Sequence, residues 1–159
     1  MSRIDHELFT KIKDETYLKR TDALYQEEGF PEKELVLQDT NNQGRLYAPK
    51  RVYPVIPLTD GMTISIGTVK ATCILTPGHT PGVRMLYLPD EQLLFTGDHV
   101  LFDITPNISV WHGVPHSLAD YFASLHKIRA LPVQMSFPAH RTGQGELNAR
   151  IDQLIAHHK

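Results

Sequence analysis

The sequence holds a single cysteine, Cys73, which excludes an intrachain disulfide. Cys73 lies inside the apolar run Ala71–Leu75, so it reads as a buried structural thiol rather than a reactive one. No apolar run approaches the roughly 20 residues of a membrane-spanning helix, and no membrane partner is expected. The opening MSRIDHE has no apolar core of the kind a signal peptide carries. A cytoplasmic protein is the economical expectation. Charge of one sign is also lacking: 16 Lys and Arg against 18 Asp and Glu leave a net −2. With no basic stripe, the composition argues against a nucleic-acid surface. No internal repeat or low-complexity segment appears. What remains is a chain of 159 residues, 41% hydrophobic and 21% charged, a single-domain length able to bury a core.

Residues 4–28 read as helix, with Ile4, Leu8 and Ile12 at four-residue spacing and Leu18, Leu24 and Tyr25 continuing an apolar side. Thr21-Asp22 can cap a second helix there, and Gly29-Phe30-Pro31 ends the segment. Its charges (Lys11, Lys13, Asp14, Glu15, Lys19, Arg20) read as a solvated face. Residues 31–57 are polar, with a turn signal at Asn41-Asn42-Gln43-Gly44, and Pro49, Pro54 and Pro57 argue against a long regular element. From residue 58 the pattern sharpens. Met62, Ile64 and Ile66 alternate with Thr63 and Ser65 as a half-buried strand should. Val69–Leu75, Val83–Leu88 and Leu93–Thr96 follow as strands, the last two joined by a turn at Pro89-Asp90-Glu91-Gln92. After a long loop over 99–116, Ser117 begins a helix with Asp120 as a capping-box-like pair. Leu118, Tyr121, Phe122, Leu125 and Ile128 give it one apolar face, and Pro132 closes it. Val133–Phe137 is a short strand. Gly143 and Gly145 lead to a last helix with Leu147, Ile151, Leu154 and Ile155 on one side. A hairpin meander followed by helix, strand and helix predicts an α/β fold, layered as α+β, with helices over one sheet face.

Three turns stand out against this background: Thr76-Pro77-Gly78-His79-Thr80-Pro81-Gly82, Phe95-Thr96-Gly97-Asp98-His99, and Phe137-Pro138-Ala139-His140-Arg141. Each sets a good metal ligand in a Gly/Pro-fixed turn after an apolar strand, and a His, an Asp and a His arriving from separate strand ends can converge on one cation. The hairpins place His79 and Asp98 at the same end of the sheet. The other histidines are weaker candidates. His126 reads as structural, His157 and His158 lie at an exposed end, and His112 and His116 sit in a loop that can face substrate. His99, next to Asp98, should point elsewhere.

TPGHTPG, then LLFTGDH, then FPAH resemble the third, fourth and fifth metal-site motifs of the metallo-β-lactamase-fold hydrolases, and the likeness runs over about residues 45–158. GDHVL running into ITPNIS resembles one branch, in which the hydrolase domain is followed by a small winged-helix-like domain. The resemblance implies a partial αββα sandwich, mainly its C-terminal half. It implies His79 on a first zinc, Asp98 bridging two zincs, and His140 on the second. Substrates across the family include thioesters, β-lactams, lactones, phosphodiesters and RNA, so the fold does not choose among them. Arg141 departs from the small residue common after the last histidine, and reads as narrowing the mouth or meeting an anionic group.

The family's first ligand set, H-x-H-x-D-H, does not occur in this sequence. MSRIDH keeps only its final Asp-His. The expectation is that Met1 falls after the motif and that 1–159 is a single, truncated domain, with 1–30 a helical lead-in and 58–159 the part bearing the ligand turns. Two readings follow. One is the core of a zinc hydrolase acting on an ester or thioester, with the isolated chain holding zinc partially or not at all. The other is a non-catalytic binding or assembly domain with a degenerate site. A truncated sandwich should expose an apolar sheet face, so a homodimer or a complementing chain is the expected partner.

Overall fold

The computed structural model describes residues 1–13, 16–41, 46, 51–141 and 145–158. The predicted turn at 42–44, the charges Asp14 and Glu15, Pro49 and Gly143 lie outside the described residues. Two compact units form, one from Ile4–Ile56 and one from Met1–Arg3 with Pro57–Lys159.

The first unit is helical. Helices α1 (Arg3–Lys13) and α2 (Thr16–Glu27) replace the single predicted segment. Thr21 does not cap a helix, as the sequence allowed. It lies inside α2, its hydroxyl donating back to the Tyr17 carbonyl at 3.0 Å, the bond a mid-helix threonine makes when no free N–H faces it. Lys11, Lys19 and Arg20 are exposed as predicted. The apolar side is less buried than its spacing implied, with Ile4, Leu24 and Tyr25 all exposed. A third helix, α3 (Glu32–Thr40), stands where the sequence predicted irregular chain. Pro31 was read as a stop, yet a proline is equally suited to opening a helix, where its missing N–H costs nothing. The Pro31 carbonyl accepts from Glu34 N and Leu35 N, and Glu32 and Glu34 sit in the first turn, where negative charge is favoured.

The second unit carries a five-stranded sheet in sequence order, β1 (Thr63–Ile66), β2 (Val69–Leu75), β3 (Arg84–Leu88), β4 (Leu93–Gly97) and β5 (Met135–Pro138). The first three pairings are antiparallel, and β5 joins β4 in parallel. That last pairing needs a crossover, supplied by α4 (Ser117–Arg129). A final helix, α5 (Leu147–His157), packs beside α4.

Strand alternation divides the sheet into two faces. Ile74, Met85, Tyr87 and Leu94 meet Tyr121, Leu125 and Ile128 of α4 and Leu147, Ile151 and Leu154 of α5 in one core. Each large side chain fully buried there contributes about 1.5–3 kcal/mol. Leu118, assigned to the core face from its spacing, is 40% exposed instead, because it falls in the first turn of α4, beside the groove described below. The opposite face bears Leu86, Phe95 and Phe137, paired across three strands, with Phe95 and Phe137 stacked at 5.1 Å. It is partly bare, with Ile66, Phe95 and Met135 all exposed. Cys73 is free and fully buried, and burial pushes its thiol up from the ordinary value.

Candidate metal centre

β2, β4 and β5 run in the same direction, so Leu75, Gly97 and Pro138 end at one edge of the sheet. The turns bearing His79, Asp98 and His140 leave from that edge, the side of a parallel arrangement where binding sites gather. His79 Nε2 lies 3.8 Å from Asp98 Oδ2, and His140 Nε2 lies 3.0 Å from Asp98 Oδ1. The two imidazoles thus face different oxygens of one carboxylate.

Local bonds fix each candidate ligand. In the first turn Thr76 N donates to Val83 O at 3.0 Å, closing the loop beyond the strand ladder. The His79 ring then reaches the Asn107 carbonyl through Nδ1 at 2.7 Å. A carbonyl can only accept, so Nδ1 is the donor in that bond, which leaves Nε2 as the ring nitrogen turned toward Asp98, the orientation a metal-ligating histidine takes. Trp111 Nε1 donates to the His79 carbonyl at 3.1 Å, so the 103–115 loop grips both ring and backbone. In the second turn Gly97 adopts φ 56°, a left-handed conformation that turns the chain out of β4. The Thr96 hydroxyl donates to Val100 O at 2.8 Å and lies 3.3 Å from Phe137 O, tying the Asp98 turn to the strand that delivers His140. Ala139 N donates to Gly97 O at 3.0 Å and extends that tie. Arg150 of α5 secures the following loop through the Leu101 and Ile104 carbonyls.

The donor set bears comparison with the group the motifs imply. Asp98 Oδ1 is buried and, despite its closeness to His140 Nε2, no aligned hydrogen bond reaches it from the described residues. A carboxylate with one imidazole nitrogen near each of its oxygens is the N and O chemistry that zinc takes. The three side chains are not drawn into a closed cage: among the described residues no group of three His, Cys, Asp or Glu side chains is spaced to hold a metal ion. The residues fit a metal in donor type and leave its shell incomplete.

The remaining histidines sort differently from expectation. His99 is fully buried, with neither ring nitrogen hydrogen-bonded among the described residues. Burial, and then the neighbouring His79, lower its pKa to about 3, so the ring is neutral. It packs against Tyr121 at 4.6 Å with the rings tilted by 49°. His158, expected at a frayed end, packs edge-on against Tyr121 at 5.7 Å and Phe122 at 6.3 Å. The apolar surface left by α4 holds its ring there. His126 is exposed. His116 lines a groove of about 290 Å³ with Ile108, Val110, Val114, Pro115 and Leu118, none of them a candidate ligand. Ser117 does not make the predicted capping box: His116 is the N-cap, and the Ser117 hydroxyl is buried without a partner among the described residues. Arg141 is exposed at φ 67°, the left-handed region that side-chain-bearing residues avoid. Asn107 and Trp111 escaped the sequence reading. Asn107 acts through its backbone carbonyl, which no side chain announces.

Among the described residues no helix is long and apolar enough to cross a membrane. Comparison with known proteins identifies the family. The profile of the Metallo-beta-lactamase superfamily matches residues 5–140. The lactamase-like protein nscB of Trichophyton equinum is 30% identical over 131 residues, covering 81% of this chain and 36% of that protein. The lactamase-like protein vrtG of Penicillium aethiopicum is 30% identical over 132 residues, covering 82% of this chain and 39% of its own length. The chain therefore spans well under half the length of these relatives. A metallo-beta-lactamase family protein of Thermus thermophilus superposes with a TM-score of 0.84 at 24% identity, over 99% of this chain and 51% of that one, and so shares the fold. Sequence profile, relatives and fold all lead to one assignment: this chain belongs to the metallo-β-lactamase superfamily.

Proposed function

We propose that the chain is part of a zinc-dependent hydrolase that cleaves an ester or thioester, with His79 on one zinc, His140 on a second and Asp98 between them. The observation that carries this reading is the approach of two imidazole Nε2 atoms to separate oxygens of the Asp98 carboxylate. When bound, zinc supplies the Lewis acidity that brings the pKa of water toward about 7 and polarises the acyl oxygen. The chain's own residues orient the donors. Asn107 and Trp111 hold His79 with its Nε2 toward Asp98, and Thr96 keeps Asp98 beside the strand that carries His140. The fungal relatives are named lactamase-like, which is in keeping with a hydrolase.

With no H-x-H-x-D-H in the sequence, the isolated chain offers fewer donors than a two-metal site uses, so zinc binding is weak and partial and hydrolysis inefficient. A second reading, a non-catalytic binding or assembly domain, draws support from the open spacing of the three side chains. Equilibrium zinc titration of the wild-type chain and of Asp98→Asn, with thioester hydrolysis followed in parallel, separates them. Weak binding below two zincs per chain, lost in Asp98→Asn, is expected. A tight two-zinc site would overturn the partial-site reading. Zinc binding indifferent to Asp98 would leave only the second.

A further inference from the structure

Helix α4 bonds to two of the ligand turns from one face. The Tyr121 hydroxyl donates to the His99 carbonyl at 3.0 Å, directly after Asp98. The Ser124 hydroxyl donates to the Pro77 carbonyl at 2.8 Å, two residues before His79. A spacing of three residues places both side chains on the same stripe of the helix. Lys127, three residues further, donates to the Leu75 carbonyl at 3.1 Å where β2 ends. Tyr121 and Ser124 are 0% and 3% exposed, so water cannot take over either bond. The contact is close as well as polar: a Cβ built on Gly78 would lie 2.7 Å from Tyr121 Cβ.

The sheet alone does not fix this separation. β3 lies between β2 and β4, and both turns extend beyond the last paired residues of their strands. Among the described residues, the helix that hydrogen-bonds to both is α4. We propose that Tyr121 and Ser124 are positioning residues that set the distance between His79 and Asp98, and through it the affinity for the cation. The proposal rests on the metal site argued above.

Tyr121→Phe keeps the ring and its packing and removes only the hydroxyl. Ser124→Ala does the same for its turn, and Ser124→Thr restores a hydroxyl there. Zinc affinity, read by competition with a chromogenic chelator, should fall about 10–100-fold in Tyr121→Phe and Ser124→Ala and recover in Ser124→Thr, the range for groups that orient ligands. All variants should still unfold cooperatively; if one fails to fold, the other carries the test. Wild-type binding with both variants within twofold of it would overturn the proposal and leave the site intact. If the wild type binds no zinc, the site reading fails by itself. Positioning is then read in the metal-free protein from the indole N–H resonance of Trp111, the single tryptophan, which donates to the His79 carbonyl. A shifted resonance in Ser124→Ala supports the proposal, and an unmoved one overturns it.

Discussion

Replacing Gly78 by alanine tests how tightly α4 is held against the first ligand turn. Gly78 has φ 146°, and an added Cβ would lie 2.7 Å from Tyr121 Cβ and 2.8 Å from Tyr121 Cα. The second contact is with backbone, so no flexible side-chain tip can swing away. Overpacking of this kind costs about 1–3 kcal/mol. Holding a side-chain-bearing residue in a sparsely populated backbone region costs about 1–3 kcal/mol more. The sum, about 2–6 kcal/mol, is a large part of the 5–15 kcal/mol that holds a typical domain together. For a chain of this length each kcal/mol lowers the midpoint by about 2–4 °C, so a fall of roughly 4–24 °C is expected. Gly61 and Gly67 supply the control, at φ 75° and 62° with nothing within 4 Å of the added atom. Alanine at either meets only the backbone term. Thermal and urea unfolding of the three variants, with m-values checked for two-state behaviour, separates the contributions. A Gly78→Ala midpoint no lower than those of the controls would refute the close packing of α4 on this turn.

Asp60 gives a pH dependence of defined sign. Partial burial raises its pKa, but the Leu75 N–H at 2.7 Å and the Lys127 ammonium outweigh it, and the carboxyl sits below its ordinary 3.8. Its contribution to stability is therefore present above that value and lost as pH falls through the lower folded-state pKa, and Asp60→Asn should flatten the acid limb of a stability–pH curve. An unchanged limb would show that this exposed pair contributes nothing. Arg141→Gly should raise stability by about 1 kcal/mol, because glycine removes the left-handed penalty at φ 67°; chemical denaturation reads it, and a loss would mean that the side chain is held by a compensating contact. We also propose that the bare sheet face bearing Ile66, Phe95 and Met135 pairs with a second copy. Sedimentation velocity should show concentration-dependent dimers reduced in Phe95→Glu, and monomers throughout the concentration series would refute it.

The three turns bearing the candidate ligands were legible as turns because glycine and proline punctuate them and because apolar alternation marks the strands before them. The α3 helix was not legible, since Pro31 opens a helix as readily as it ends one and its sequence has no strong periodicity. The predicted cap at Ser117 failed for a related reason. Composition names residues able to cap, while the position of the first helical residue depends on how the preceding loop packs, and here that residue is Ser117 itself. His158 was misjudged because sequence distance from the chain end says nothing about which aromatic surface is nearby.

By itself the sequence determined the local pieces: strands from period-two alternation, turns from glycine and proline, and three side chains able to bind a metal. It also placed His79 and Asp98 at one end of the sheet, since two hairpins return the chain to its starting direction. Only the tertiary structure decided that His140 joins them. That depends on α4 crossing over and setting β5 parallel to β4, a long-range pairing no local pattern encodes. Tertiary packing likewise buried His99 and aimed its neighbour Asp98 between two histidines. It also made Tyr121, Ser124, Asn107 and Trp111 part of the site's support, because those bonds join backbone and side chains far apart in the chain.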